Sequence, residues 1–334
     1  MGGGNALDLD TPALYVDLDV LERNLRRMQD LCRSLNVGLR PHAKTHKIPE
    51  IARMQLAQGA IGITVAKLDE AEALPGDDVL VAYPLTPEKA ARARAFLKSR
   101  RLTVVVDSVE GARAVEGIPA LVEVDVGFGR CGVQTPEAYE EVAGACRPFR
   151  GLFYYPAGLD EKEYPAIGSK VKACLDRRSG ELVSGGSTPG AARTPLVPGT
   201  TEIRPGTYAF HDAGTVSRGL ATADDCALRV LVSVVSTAVP GQFIVDGGSK
   251  TFSFNPTKIV GGYGDFVGRP WRLDKLNDEH GFVKVQGPAP RVGEKLWVIP
   301  GHVGTCMNQH DRVWYGRAGR VEGTWRVAAR GGVR

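Results

Sequence analysis

Lys44 lies inside PHAKTHK, residues 41–47, where two histidines and two lysines occupy seven positions. An amine crowded by other cations or withdrawn from water loses its proton more readily than an ordinary lysine and becomes a nucleophile near neutral pH. In an extended segment alternate side chains share a face, so His42, Lys44 and His46 would line one side with the amine between two imidazoles. The competing reading is a solvated basic turn, because most charge clusters lie on surfaces. Three further stretches concentrate reactive residue types: VDVGFGRCGV with Asp125 and Arg130, SGGST with Ser184, Gly185, Gly186, Ser187 and Thr188, and RPGTYAFHD with Arg204, Tyr208, His211 and Asp212. Backbone amides of a glycine-serine turn can surround a phosphate without side-chain interference. Such a loop at the same rim as a lysine suited to Schiff-base chemistry points to pyridoxal 5'-phosphate.

Those stretches need a scaffold that brings them together. Between residues 38 and 208, eight β-branched runs recur, from the strand at Gly38–Arg40 through IGITV, DVLVAY, LTVVVD, ALVEVDV, GLFYY and ELVSG to TEIRPGTY. Most are separated by segments of helical periodicity, several opening with Thr, Ser or Pro as a helix start requires. The alternation predicts an α/β fold, a (β/α)8 TIM-like barrel over residues 11–222, in which functional groups sit at the C-terminal ends of strands. A doubly wound sheet is disfavoured because its GxGxxG turn is missing. After Cys226 the pattern becomes strands and turns, which predicts a C-terminal mainly-β domain over residues 223–334. The strand near residues 13–17 could associate with that domain, and residues 1–10 read as a flexible tail.

With 43% hydrophobic and 24% charged residues the chain reads as globular, and a formal charge of +4 is too small to imply nucleic acid. No apolar run approaches the ~20 residues of a membrane helix, and the polar, glycine-rich start does not read as a signal peptide. The six cysteines are scattered without a CxxC pair, which suggests reduced thiols and a cytoplasmic location.

The succession TPALYVDLDVLERN, RPHAKTHK, VDVGFGRCGV, SGGST, EIRPGTY, DGGSK and EHG resembles the D-threonine aldolase and D-serine dehydratase family, of the alanine racemase fold type, from Thr11 to about Asp311. The resemblance implies a pyridoxal phosphate lyase acting on a β-hydroxy D-amino acid, by aldolase cleavage or by dehydration. It assigns Lys44 as the Schiff-base lysine. It implies a homodimer whose active site is closed by the partner's β domain. His42, Arg130, Tyr155, Tyr208 and the Ser184–Thr188 loop are the expected cofactor contacts, Tyr155 because relatives place an aromatic or histidine near the cofactor ring. His211, following a barrel strand, is the candidate base, with a core role as its alternative.

The same resemblance raises a metal question. Relatives carry an H-x-C or H-x-D pair in the β domain, and the equivalent stretch here is PGHVGTCMNQHD. His302 matches the first ligand, but Gly304 stands at the second and offers no side chain. Cys306, two residues later, could join His302 in an open site for Zn or Mn. Otherwise His302 is a hydrogen-bonded histidine and Cys306 a buried small residue. The altered motif keeps a metal-free pyridoxal phosphate racemase or epimerase as the alternative function, with a non-catalytic cofactor carrier as the third. Asp125 and Arg130 could bridge each other, or Arg130 could approach the cofactor. Asp246, Glu279 and His280 read as turn residues near the mouth or the dimer contact. The segment between Tyr155 and Ser184 is shorter than in relatives, which generally have a longer helix there.

Overall fold

The computed structural model describes residues 4–157, 160–255 and 261–334. The chain divides into two compact units, a barrel unit (residues 27–44, 49–206 and 332–334) and a β unit (residues 1–26, 45–48 and 207–331). The pattern change read near residue 222 therefore follows the unit boundary, which falls between Gly206 and Thr207.

The chain opens with strand β1 (Ala13–Asp17) and helix α1 (Leu18–Ser34). Then come β2 (Gly38–Leu39), α2 (Pro49–Ala57), β3 (Ile63–Val65), α3 (Leu68–Ala73), β4 (Asp78–Pro84), α4 (Pro87–Phe96), β5 (Arg101–Val106) and α5 (Val109–Ala114). They are followed by β6 (Ala120–Val124), α6 (Pro136–Ala145), β7 (Phe149–Tyr154), α7 (Tyr164–Arg177), β8 (Leu182–Gly185) and β9 (Glu202–Ile203). Capping residues set the starts: Ser108 Oγ accepts from Gly111 N and Thr135 Oγ1 from Ala138 N, while Pro87 and Pro136 open α4 and α6. The segment between Tyr155 and Ser184 carries the 14-residue α7.

Strands β2 to β9 form a parallel sheet in the order β2-β9-β8-β7-β6-β5-β4-β3. Its two ends meet through a parallel bridge between His42 and Thr64, with Thr64 N donating to Pro41 O at 2.9 Å, so the sheet closes into a ring. All eight expected strands are present. Leu80, Val105, Leu121 and Phe153 form one apolar cluster inside the ring, and the other faces of the strands pack on the helices. Strands buried on both faces read as continuous apolar runs, which is why Val and Ile dominate them. Two glutamates break that rule, Glu123 in β6 and Glu202 in β9, and both belong to the site.

The β unit contains β10 (Leu228–Ser236), β11 (Gln242–Val245), β12 (Gly264–Phe266), β13 (Lys275–Leu276), β14 (Gly281–Lys284), β15 (Lys295–Pro300), β16 (Arg312–Arg317) and β17 (Arg320–Arg326). Helices α8 (Ala213–Ser217), α9 (Ser249–Phe252) and α10 (Val303–Met307) are short. Strand β1 sits within this nine-stranded sheet, antiparallel to β10 with Leu14 opposite Val230 and parallel to β16 with Val16 opposite Tyr315. The expected loose tail is corrected for residues 4–9. Ala6 is 1% exposed and donates to Gly319 O, Asn5 bridges Arg320, and Lys295 Nζ donates to Leu7 O and Leu9 O. The glycines suggested looseness, but Asn5 Oδ1 accepting from Leu7 N builds a tight turn that buries Ala6.

Candidate active site

Lys44 follows β2 in a single tight turn, Ala43–Thr45, so the extended alternation expected for PHAKTHK does not form. His46 is fully buried, and its Nδ1 accepts from Ile48 N at 3.0 Å. The amine is instead addressed by groups from distant parts of the barrel. Its pKa is lowered first by burial, then by the charge of Arg130 and also that of Arg204, against the opposing charge of Glu70. As a residue Lys44 remains open to water. The charges of Arg130 and Arg204 act on the amine in the same sense as burial.

Arg130 reaches the mouth from the loop after β6. Its guanidinium lies 4.9 Å from the Tyr155 ring centroid and 5.2 Å from that of Phe128, and the two rings meet edge to face at 5.4 Å. It pairs with Glu123 at 3.9 Å rather than with Asp125. Asp125 is spent on its own loop: Oδ1 accepts from the amides of Gly127, Phe128 and Gly129, and Oδ2 from Gln134 Nε2. Burial alone would raise its pKa, but these donors hold it below the usual carboxylate range. Glu123, 4% exposed, behaves oppositely. Burial raises its pKa, and Arg130 and Arg204 only partly offset the rise.

Arg204, 3% exposed, extends from the end of β9 across β8 to β7. Nη1 donates to Ser184 Oγ at 2.6 Å, Nη2 donates to Tyr154 O at 2.8 Å, and the guanidinium lies 3.7 Å from the Phe153 ring centroid. Burial pulls its pKa down to about 10, which leaves it charged at neutral pH. Ser184 in turn donates to Glu202 Oε1 at 2.6 Å, and Glu202 Oε2 accepts from Arg40 Nε at 2.9 Å.

The glycine turn after β8 is shaped for close approach. A Cβ on Gly185 would sit 2.3 Å from Tyr154 Cζ, and Gly186 has φ +89°. Ser187 and Thr188 are half-buried, and Thr188 Oγ1 accepts from Gly206 N at 3.2 Å, which ties the turn to β9. One amine of lowered pKa, two guanidiniums and a turn too tight for side chains fit pyridoxal phosphate: Lys44 for the aldehyde carbon, Gly186, Ser187 and Thr188 for the phosphate. Lys44, His42, Arg130, Tyr155 and the Ser184–Thr188 turn all belong to the barrel unit. Tyr208 and His211 belong to the β unit, Tyr208 1% exposed and His211 with φ +51°.

The metal stretch has a different character. His302 caps α10, its Nδ1 accepting from Gly304 N at 3.1 Å and Thr305 N at 3.4 Å. Cys306 is fully buried and donates to Thr251 O at 3.3 Å, and burial pushes its thiol up to about 12. Among the described residues no group of three or more His, Cys, Asp and Glu side chains is placed to hold a metal. These donors do not fit the Zn or Mn site considered from the sequence: one ring nitrogen is taken, the thiol keeps its proton, and Gly304 contributes nothing. Asp246 braces β1 and β10, accepting from Thr11 Oγ1 and Ser233 N, and Glu279 pairs with Lys250.

Sequence reasoning placed Arg204 in a stretch expected at the mouth without giving it a role, and it did not single out Glu123 or Glu202. The available signal was a charged residue inside an apolar strand, Glu in ALVEVDV, and the i, i+2 spacing of Glu202 and Arg204, which puts both on one strand face. Among the described residues no helix is long and apolar enough to cross a membrane.

Residues 16–213 match the family "Alanine racemase, N-terminal domain", and residues 227–315 match a serine dehydratase domain. The chain is 34% identical to a D-threonine aldolase of Arthrobacter sp., covering 97% of this chain and 93% of the relative. It is 33% identical to a 3-hydroxy-D-aspartate aldolase of Paracoccus denitrificans, covering 98% and 94%. The crystal structure of a D-threonine aldolase from Filomicrobium marinum superposes with a TM-score of 0.89 at 32% identity, covering 99% of each chain. Alike in sequence and in fold to aldolases along nearly its whole length, the chain belongs to the alanine racemase N-terminal domain family, among its pyridoxal phosphate-dependent lyases.

Proposed function

We propose that the chain acts on β-hydroxy D-amino acids, cleaving the Cα–Cβ bond or eliminating the β-hydroxyl. The observation that carries this reading is Lys44 in the turn that follows barrel strand β2, in one unit with Arg130, Arg204 and the Gly185–Gly186 turn, its amine biased toward the neutral form first by burial and then by those two guanidinium charges. The cofactor, when bound, supplies an electron sink for the charge left at Cα. Arg130 offers a guanidinium at the mouth suited to the carboxylate of an amino acid. Lys44 is the group available to hold or move a proton at Cα. His211 is carried forward as base for the β-hydroxyl, supported by its strained left-handed backbone, a conformation concentrated at functional sites.

A second reading, a racemase or epimerase, is favoured by one observation: the His302 and Cys306 donors do not form a metal pair. We also infer a homodimer acting in the cytoplasm, in keeping with six free cysteines. Light scattering of the purified chain tests the dimer. Incubation with D-threonine, D-serine and D-alanine, followed by assays for aldehyde, oxo acid and L-isomer, separates the reactions. Aldehyde or oxo acid formation that disappears in Lys44→Ala supports the lyase reading, whereas L-alanine as the sole product transfers the chain to the racemases.

A further inference from the structure

A serine hydroxyl carries one hydrogen and cannot donate it to two partners. At Ser184 that hydrogen goes to Glu202 Oε1 at 2.6 Å. Glu202 is fully buried, and its other oxygen is held by Arg40 Nε at 2.9 Å, so the carboxylate remains an acceptor. The lone pairs of Ser184 are thereby directed at Arg204 Nη1, 2.6 Å away. We propose that Ser184 is a positioning residue: with its proton committed to Glu202, it is the hydrogen-bond acceptor that holds the Arg204 guanidinium at the barrel mouth beside Lys44.

The topology gives this relay its consequence. Strand β9 lies between β8 and β2, pairing Ser184 with Glu202 and Leu39 with Ile203. His42 N donates to Pro205 O at 2.9 Å, which sets the Lys44 turn alongside the segment that carries Arg204. A carboxylate at position 184 would neutralise the guanidinium. A hydroxyl orients it without adding a further negative charge beside Glu202 and Glu123, so its charge still acts on the Lys44 amine. The direction of every donor is consistent along the chain of contacts: Arg40 donates to Asp78 and Glu202, Ser184 to Glu202, and Arg204 to Ser184 and Tyr154 O. Ser184, expected from the sequence to touch the cofactor, is fully buried and hydrogen-bonded to both Glu202 and Arg204.

The catalytic meaning of this arrangement rests on the proposed function, but its test needs no cofactor. Reductive methylation of Lys44 in the cofactor-free chain, followed by peptide mass spectrometry across pH, reads the amine's proton affinity directly. In Ser184→Ala the Lys44 titration moves upward, in the direction given by Arg204→Gln, and methylation at pH 8 slows about threefold. The double variant matches Arg204→Gln alone, and Ser184→Thr restores the native curve. If Ser184→Ala does not fold, Ser184→Cys, a poorer acceptor of similar size, reads the same shift. A Ser184→Ala curve superimposed on the native one, an Arg204→Gln curve that does not move, or additive shifts in the double variant each overturn the proposal. Success here together with failure of Lys44 to capture pyridoxal phosphate would sink the functional reading alone.

Discussion

Arg40 and Glu202 form an ion pair sealed inside the barrel, Nε to Oε2 at 2.9 Å with the residues 2% and 0% exposed. Asp78, the other partner of Arg40, also has Arg150 at 3.8 Å and Arg101 at 3.6 Å. Glu202 has Arg40 and the Ser184 hydroxyl. Removing one member of a buried pair strands the other charge, at a cost of about 3–5 kcal/mol. Arg40→Met is therefore expected to lower the unfolding free energy by about that amount in urea titrations. Arg40→Met combined with Glu202→Leu should recover most of the loss, because the stranded charge is then gone. A single variant as stable as the native chain would show that Glu202 is not held as a charge.

The lowered pKa of Lys44 couples stability to pH with a definite sign. Between that lowered folded value and the ordinary 10.5, the unfolded chain binds a proton that the folded chain does not, so stability from this group rises with pH. Below the folded value the cost of holding the ammonium out of water and among Arg130 and Arg204 is present in full. The cofactor-free Lys44→Met variant should thus be more stable than the native chain at neutral pH, with the difference shrinking toward pH 10.5. Thermal or urea unfolding of the two chains at matched pH measures it, and a constant difference would contradict the assignment.

The barrel was legible because its information is local: continuous Val and Ile runs for strands closed in on both faces, and Thr, Ser or Pro at helix starts. The position of Lys44 at a strand end was legible for the same reason. The groups that tune it were not. The sequence suggested His42 and His46 as neighbours, but the tight turn at Ala43–Thr45 breaks the alternation, and the cations come from Arg130 and Arg204, which only closure of the barrel brings near. The strand near residues 13–17 was legible as one that could join the C-terminal sheet, whereas its particular partners β10 and β16 are chosen by register across most of the chain.

Gly185 is expected to tolerate no side chain. A Cβ there would lie 2.3 Å from Tyr154 Cζ, and the Tyr154 ring is fixed by a 2.7 Å hydrogen bond to Thr200 Oγ1. Relief requires moving the ring or the turn, an overpacking cost of about 1–3 kcal/mol. Gly185→Ala should bind pyridoxal phosphate about tenfold more weakly by fluorescence titration, the equivalent of about 1.4 kcal/mol of that cost falling on the displaced turn. The control is Gly144→Ala, where a Cβ meets nothing within 4 Å, and it should bind as the native chain does.

His302 distinguishes a metal site from a helix cap. As a cap its Nδ1 satisfies the amides of Gly304 and Thr305 at the start of α10, a role worth about 0.5–2 kcal/mol in other proteins. His302→Asn, which can accept the same bonds, should therefore retain stability, and His302→Ala should lose about 1 kcal/mol. Cys306 donates its thiol proton to Thr251 O and is pushed up to about 12 by burial, so it offers no thiolate at neutral pH. Elemental analysis of the native chain should find Zn and Mn well below one per chain, and exhaustive chelation should leave turnover within twofold of the untreated enzyme. Stoichiometric metal that is lost in both His302→Asn and Cys306→Ala would mean that α10 rearranges to release its cap and that these two side chains ligate after all.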